Sequence, residues 1–440
     1  MPNAPLRRLF ALLAAALIAS PALVASSAFA QDEDTPFDPQ QCSEGTLYTQ
    51  PVQDFSPGGE RRLRDSLKAS SLSASIRENL EAAAEYYAFS LTDPAYKTAP
   101  AARARDLTRK WELSNVSDEA REALQGYLVQ KLRVVLGQCD VGERMAAIIF
   151  LSMIDSEKYD LRERKPAVPY WPTGDVYLDV IENPNELAMV KIRAAQSLGR
   201  LLAYAEAPQV EYDRIYDRTA GALLRYLDGS LETQNAGEGD WWLAYHLAVA
   251  LGKSQQPTNL QLDPVGPQAL LTIVGDPEQP DLLRAKALRS LSTTPWSEGN
   301  GFDIEPIVKA QVQFAQDWAE RYNADPTFWQ HRHVAADLYF SFKPETIEQF
   351  EAGEGWLAQT KQSSNRGAVG TVESAFAVIK PIFQSIVRTE GLSQKPLGRE
   401  QVAALGEWLG NNPPGGSVHP RLGEIEFQAR PAPENATAAN

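Results

Sequence analysis

Residues 173–202 read TGDVYLDVIENPNELAMVKIRAAQSLGRLL, and this stretch decides the fold. Asn183-Pro184 divides it. Proline lacks the amide proton of a helix ladder and pushes the residue before it out of the α region. A first helix is therefore predicted over 175–182. In the second half Leu187, Val190, Ala194, Leu198 and Leu201 recur three or four apart. Ala188, Ile192, Ala195, Gly199 and Leu202 form a row beside them, which is helical periodicity. Lys191, Arg193, Gln196, Ser197 and Arg200 fall on the other side. The apolar face is wide and rich in Ala and Gly, so neighbouring helices can approach closely on more than one side.

The rest of the chain restates this helical pair. Helices are predicted over 60–91, 101–113 and 118–136. Asp140-Val141-Gly142-Glu143 has capping-box spacing before a nearly unbroken apolar run, 145–154. A loop holding Tyr170-Trp171-Pro172 leads to the opening pair. Further helices are predicted over 212–231, 241–251, 267–274, 282–291, 304–322, 326–342, 345–361, 372–388 and 399–409. Asp240 is placed as the cap of the helix at 241, Gly252 as the C′ residue just beyond its end, and Asp325-Pro326 as an N-cap with proline at N1. Aligning the second helices at their small residue gives Ala146, Ala194, Ala244, Ala285 and Ala335. Those steps lie near the ~40–47 residues of helix-pair repeats.

VKIRAAQSLGRL resembles the second helix of a HEAT-type, armadillo-like repeat, in which a basic residue, two small residues and a Leu-Gly pair recur. The resemblance is clear over 173–202 and weaker over 267–291. It implies an all-α fold, an irregular superhelix (solenoid) of antiparallel helix pairs that presents a surface to another protein. It brings no catalytic motif. A closed α/α toroid is the alternative architecture.

The termini read differently. Arg7 and Arg8 precede an apolar run over 9–24, and Ala28-Phe29-Ala30 makes a small-x-small cleavage site. Residues 1–30 are thus expected to be a signal peptide cleaved after Ala30, which implies a periplasmic or secreted protein. Export by the ordinary route is preferred over the twin-arginine route. Residues 31–59 read as an extended acidic arm, 60–410 as the helical repeat domain, and 411–440 as a mobile tail. The chain carries a net charge of −15, more negative still without Arg7 and Arg8. That disfavours nucleic acid and anionic membranes as partners. No membrane insertion is expected after cleavage. Cys42 and Cys139 are the two cysteines, and in an oxidising compartment an even pair suggests one disulfide.

Catalytic residues, cofactor and metal are all expected to be absent. His331, His333 and Asp337 form the densest cluster of metal-type ligands, but a zinc site needs three or four converging groups. His246 among Trp241, Trp242 and Tyr245 reads as a core histidine satisfied by a backbone carbonyl. The better lead is aromatic. Tyr170, Trp171, Trp241, Trp242, Trp296 and Trp329 stand at loop–helix corners, where a rim of exposed rings would suit peptide or sugar stacking. The favoured function is a non-catalytic protein-binding or scaffold module. The alternative is a carbohydrate-active enzyme on a toroid, with acidic pairs such as Glu238–Asp240 or Glu351–Glu354 as its acids.

Overall fold

The structure is a computed structural model that describes residues 42–55, 58–111, 116–157, 165–233, 237, 239–254, 256–296, 301–361, 363–387, 395–424 and 427. The expected signal peptide and its cleavage site lie outside the described residues, as do 425, 426 and 428–440 of the expected tail.

The described residues are mostly helical. The opening third holds α1 (Gln50–Gln53), α2 (Gly58–Leu67), α3 (Ala74–Phe89), α4 (Pro94–Lys97), α5 (Pro100–Trp111), α6 (Asp118–Leu136) and α7 (Val141–Leu151). A short hairpin of β1 (Asp155–Glu157) and β2 (Val168–Pro169) follows. The middle holds α8 (Thr173–Glu182), α9 (Ala188–Tyr204), α10 (Gln209–Leu227), α11 (Trp241–Gly252), α12 (Val265–Gly275) and α13 (Asp281–Thr293). Then come α14 (Glu305–Ala324), α15 (His331–Phe340), α16 (Ile347–Glu351), α17 (Trp356–Gln359), α18 (Val369–Val387) and α19 (Arg399–Asn411). A second hairpin, β3 (Ser417–His419) and β4 (Gly423–Glu424), closes the description.

Local chemistry sets several of these ends. The Asp140 carboxylate accepts from the Glu143 amide at 3.1 Å, the acceptor half of the expected box. Ser117 accepts from Ala120 in the same way at the start of α6. Asn183 ends α8 in an extended conformation before Pro184, as expected.

Packing follows two rows. Within each pair α6 lies on α7, α8 on α9, α10 on α11, α12 on α13, α14 on α15 and α18 on α19. The second helices pack in succession, α7 on α9, α9 on α11, α11 on α13 and α13 on α15, and α18, the first helix of its pair, continues the row by packing on α15. Among the first helices α8 packs on α10 and α10 on α12. Polar bonds keep the same step. Arg133–Asp179 spans 46 residues, Arg144–Glu186 42, Arg200–Ser152 48, Gln256–Asp213 43, Lys286–Asp337 51 and Arg321–Asp281 40. All five aligned alanines are buried. The described residues, from 42 to 427, fall in one compact unit. One core runs through it, from Val52 to Val418.

Close helix approach depends on small residues. A Cβ on Gly199 would stand 3.4 Å from the Ala250 Cα of α11. One on Gly252 would stand 2.5 Å from the Ser290 Cβ of α13. Gly252 is therefore a packing residue inside α11, not the expected residue beyond its end.

Other expectations are corrected. Asp240 makes no side-chain cap to α11. Asp325 accepts from Thr327 in a turn, and α15 begins only at His331. The single helix expected over 345–361 is two short ones, because Gly353 and Gly355 take positive φ between them. The arm expected over 31–59 holds α1 and the start of α2, with Val52 and Phe55 in the core. Residues 411–424, expected to be mobile, end α19 and then form the β3–β4 hairpin. Val418 is fully buried there, and its carbonyl accepts from the Asp303 amide at 2.9 Å.

Both ends are tied back. Cys42 and Cys139 form a disulfide across a sequence separation of 97. Beside it Ser43 and Gln138 make a β-bridge. At the other end the Arg421 guanidinium donates to the Gln261 carbonyl at 2.9 Å and pairs with Asp263, 158 residues earlier.

Candidate functional groove

The exposed side of the second-helix row carries an open groove of about 770 Å³. Its floor comes from four successive helices at helical spacing. Gln196, Gly199 and Ala203 line it from α9; Tyr245, His246, Val249 and Gly252 from α11; Lys286, Arg289, Ser290 and Thr293 from α13; Phe340 from α15. Tyr204, Lys253, Pro344, Gln349 and Glu354 also line it, with Lys253 near enough to act on the Glu354 carboxylate. The glycines matter here. They bring the helices close and leave the groove bare of side chains where they lie.

Aromatic rings crowd one side. Trp241 and Trp242 stack with centroids 4.2 Å apart, and Tyr245 stands edge-on to Trp242 at 5.0 Å. The His246 ring lies nearly parallel to Trp242 at 6.2 Å. Gln196 donates its amide to His246 Nε2 at 3.1 Å. The amide is oriented by Arg193, which donates to its oxygen at 3.0 Å, so the His246 proton sits on Nδ1. The expected backbone carbonyl partner is thus a side-chain amide. Burial, with Lys253, Lys286 and Arg193 nearby, pushes the imidazole pKa down to about 4.

Cations stand against rings of the same groove. Lys286 donates to Asp337 at 2.6 Å and lies 5.2 Å from the Tyr245 ring centroid. Arg289 bridges Asp337 at 2.9 Å and Glu345 at 2.7 Å, and its guanidinium lies 5.2 Å from the Phe340 ring centroid. Burial lowers the Lys286 pKa against the pull of Asp337. Burial raises that of Glu354. Among the described residues Glu354 is the one carboxylate in the lining.

The expected aromatic rim divides into separate places. Trp241 and Trp242 come together beside the groove. Trp171 is buried against Tyr212 at 5.5 Å, and Tyr170 packs against the core with burial raising its phenol to about 12. Trp296 is fully buried on Phe302, its indole donating to the Leu291 carbonyl at 2.6 Å. These corner residues are core because the loops fold down over the helix ends. Trp329 is exposed beside Phe328 and His333, at the start of α15.

The histidine cluster does not converge. His331 accepts from the Trp318 indole at 2.9 Å in the core, His333 lies edge-on to Trp329, and Asp337 is held by Lys286 and Arg289. Among the described residues no three His, Cys, Asp or Glu could hold one metal ion. Of the acidic pairs considered for glycoside chemistry, Glu238 lies outside the described residues and Glu351 is exposed.

The sequence reading missed Tyr204, Lys253, Lys286, Arg289 and Phe340. Their signal was the three- and four-residue spacing of polar and aromatic residues opposite each core face, as in Lys286, Arg289 and Thr293. Comparison with known protein families, characterised proteins and solved structures finds no match to this chain.

Proposed function

We propose that this chain is an exported, non-catalytic α-solenoid of HEAT-like helix pairs that binds another protein through the groove over α9, α11, α13 and α15. The carrying observation is the groove itself: it is lined from α9, α11, α13 and α15, with Lys286 beside the Tyr245 ring and Arg289 beside the Phe340 ring. The two packed rows and the repeated step of 40 to 51 residues in their polar bonds favour a stack of similar units. None of the extensive helix packings among the described residues joins α2–α7 to α14–α19, which favours an open stack over a toroid. Export is favoured by the Arg7-Arg8 leader and by the disulfide, a bond characteristic of oxidising compartments. Among the described residues no helix is long and apolar enough to cross a membrane.

Site-specific photo-crosslinking tests the reading. A benzophenone amino acid replaces Tyr204, which lines the groove, or Thr272, exposed on α12 of the other row. In the native envelope the expected result is a discrete protein adduct from position 204 and none from 272. Equal labelling from both, or none from 204, goes against the groove. Mass spectrometry of the same material is expected to begin at Gln31; a chain retaining Arg7-Arg8 goes against export with cleavage.

A further inference from the structure

Between α15 and α17 the chain makes a segment that closes on itself. Its two ends are fixed side by side. Phe342 and Trp356 are fully buried. The Trp356 and Leu357 amides donate to the Ser341 and Phe342 carbonyls at 2.9 and 3.2 Å, and the Gly355 amide donates to the Ser292 carbonyl of α13 at 2.9 Å. A Cβ on Gly355 would stand 2.9 Å from the Phe342 carbonyl oxygen and from Pro344 Cδ, so the ends touch. Residues 345–354 between them include no buried residue. Among the described residues α16, which lies in this span, packs extensively on no other element. Ile347 is 72% exposed, and neither it nor Phe350 packs on the core. This is the outline of an Ω-loop, ends together and body on the surface. Few buried apolar contacts mark a region that opens at low free energy.

The segment keeps its own hydrogen bonds. Thr346 and Gln349 form a reciprocal capping box at 3.2 Å each way. The Gly353 and Glu354 amides donate to the Phe350 and Gln349 carbonyls at 3.1 and 3.0 Å. It can therefore move as a body without leaving these groups unpaired. Gly353 and Gly355, both at positive φ, join it to its base, and a glycine backbone turns with little steric resistance. Its ties to the rest of the molecule are electrostatic. Arg289 donates to Glu345 at 2.7 Å, Glu354 lies within reach of the charges of Arg289 and Lys253, and Lys361 Nζ stands 4.3 Å from the Phe350 ring centroid. Gln349, Ala352 and Glu354 line the groove, so the segment reaches from α15 over α13 toward the end of α11.

We infer that residues 345–354 are a hinged strap across the groove, latched down by the Arg289–Glu345 pair, that lifts as a unit about its touching ends and widens access to the groove floor. Arg289 keeps its place when the latch lets go, because Asp337 also holds it, at 2.9 Å. The strap is a property of the chain alone. It goes beyond the reading of the groove as a partner surface and sets how much of that surface is open.

Pulsed dipolar electron paramagnetic resonance on the full mature chain tests this. Both natural cysteines are in the disulfide, so introduced cysteines alone take a nitroxide label. One pair joins Glu348→Cys on the strap to Thr272→Cys, exposed on α12; the control pair joins Lys343→Cys, exposed just outside the strap, to Thr272→Cys. In about 50 mM salt, where surface charges are little screened, the strap pair is expected to give two distances and the control pair one. Glu345→Gln is expected to raise the population of the second strap distance about two- to fivefold, the bias an exposed ion pair supplies. About 500 mM salt is expected to act in the same direction on the intact latch. The control distance is expected to stay unchanged throughout. A single strap distance in every condition, a second distance that ignores both Glu345→Gln and salt, or a control pair that shifts with the strap pair overturns the inference. The distances are read on the free chain, so their outcome is separate from that of cross-linking at position 204, which decides the partner surface.

Discussion

His246 illustrates what one side chain in the groove does. Its ring is held by Gln196 and stacked beside Trp242, and its pKa falls from 6.5 to about 4. Above about pH 6.5 neither folded nor unfolded chain binds the proton, and stability is indifferent to this group. Between about 6.5 and 4 the unfolded chain takes a proton that the folded chain refuses, so stability falls as pH falls. Below about 4 both forms are protonated and the loss is complete. The ring is only partly buried, and solvent screening reduces the effect to about 1–2 kcal/mol. Unfolding free energies from urea titrations of the wild type and of His246→Gln, compared from pH 7.5 to 4, are expected to diverge by that amount, with the variant less acid-sensitive. Parallel curves would show that His246 titrates normally in the folded chain. A second residue-scale lesson comes from Lys191. The helical wheel puts it with the polar residues, yet it is fully buried, donating to the Glu232 carbonyl at 2.7 Å with its pKa lowered to about 8. Arg144 and Arg284 occupy the same fourth position of α7 and α13, also buried. Arg144 donates to the carbonyls of Gln138 and Cys139, and Arg284 to that of Val274. The basic residue of the repeat-like phrase is therefore a loop-holding residue. Its role was illegible because a residue's own helix does not reveal which loop's carbonyl meets its side chain.

At the scale of the element, two glycines make opposite demands. Gly199 faces Ala250 with space for one methyl group, and Gly252 faces Ser290 with none. Gly199→Ala is therefore expected to be neutral or slightly stabilising, since Ala favours the helix by up to about 1 kcal/mol. Gly199→Leu is expected to cost about 1–3 kcal/mol by overpacking, and Gly252→Ala to be destabilising already. Thermal melts of the three variants check this order. An unchanged melting temperature for Gly199→Leu would place that face in solvent. The helices themselves were legible in the sequence, because α6, α8, α9, α11 and α13 each carry a clear apolar face or a proline corner. The hairpin at 417–424 was not. Its Pro- and Gly-rich surroundings read as a tail, and its burial depends on Phe302, more than a hundred residues away, where His419 packs at 4.6 Å. The aromatic site suffered similarly. A tryptophan at a corner looks the same in sequence whether the loop lifts away from the helix end, as at Trp329, or folds over it, as at Trp171 and Trp296.

Over the whole molecule, the two ties set how the stack fails. The disulfide closes a loop of nearly a hundred residues, for which the chain-entropy model gives at most ~4–5 kcal/mol. Cys42→Ser paired with Cys139→Ser is expected to lower the urea midpoint by up to that amount, with helical circular dichroism before the transition unchanged. An identical midpoint would mean that packing of Val52 and Phe55 and the backbone bridge at Ser43 hold the N-terminal segment without the disulfide. Between the ties, residues 140–260 carry no such staple. They contain α9 and α11, while α13 and α15 lie within the span clasped by Arg421. In the proposed solenoid, helix pairs held by their neighbours behave as a spring, and a clasp makes part of that spring stiff. The groove straddles the boundary between the compliant and the stiff part. One wall can therefore yield under tension while the other holds its shape, so a pull along the chain would change the width of the channel before it unfolds any helix.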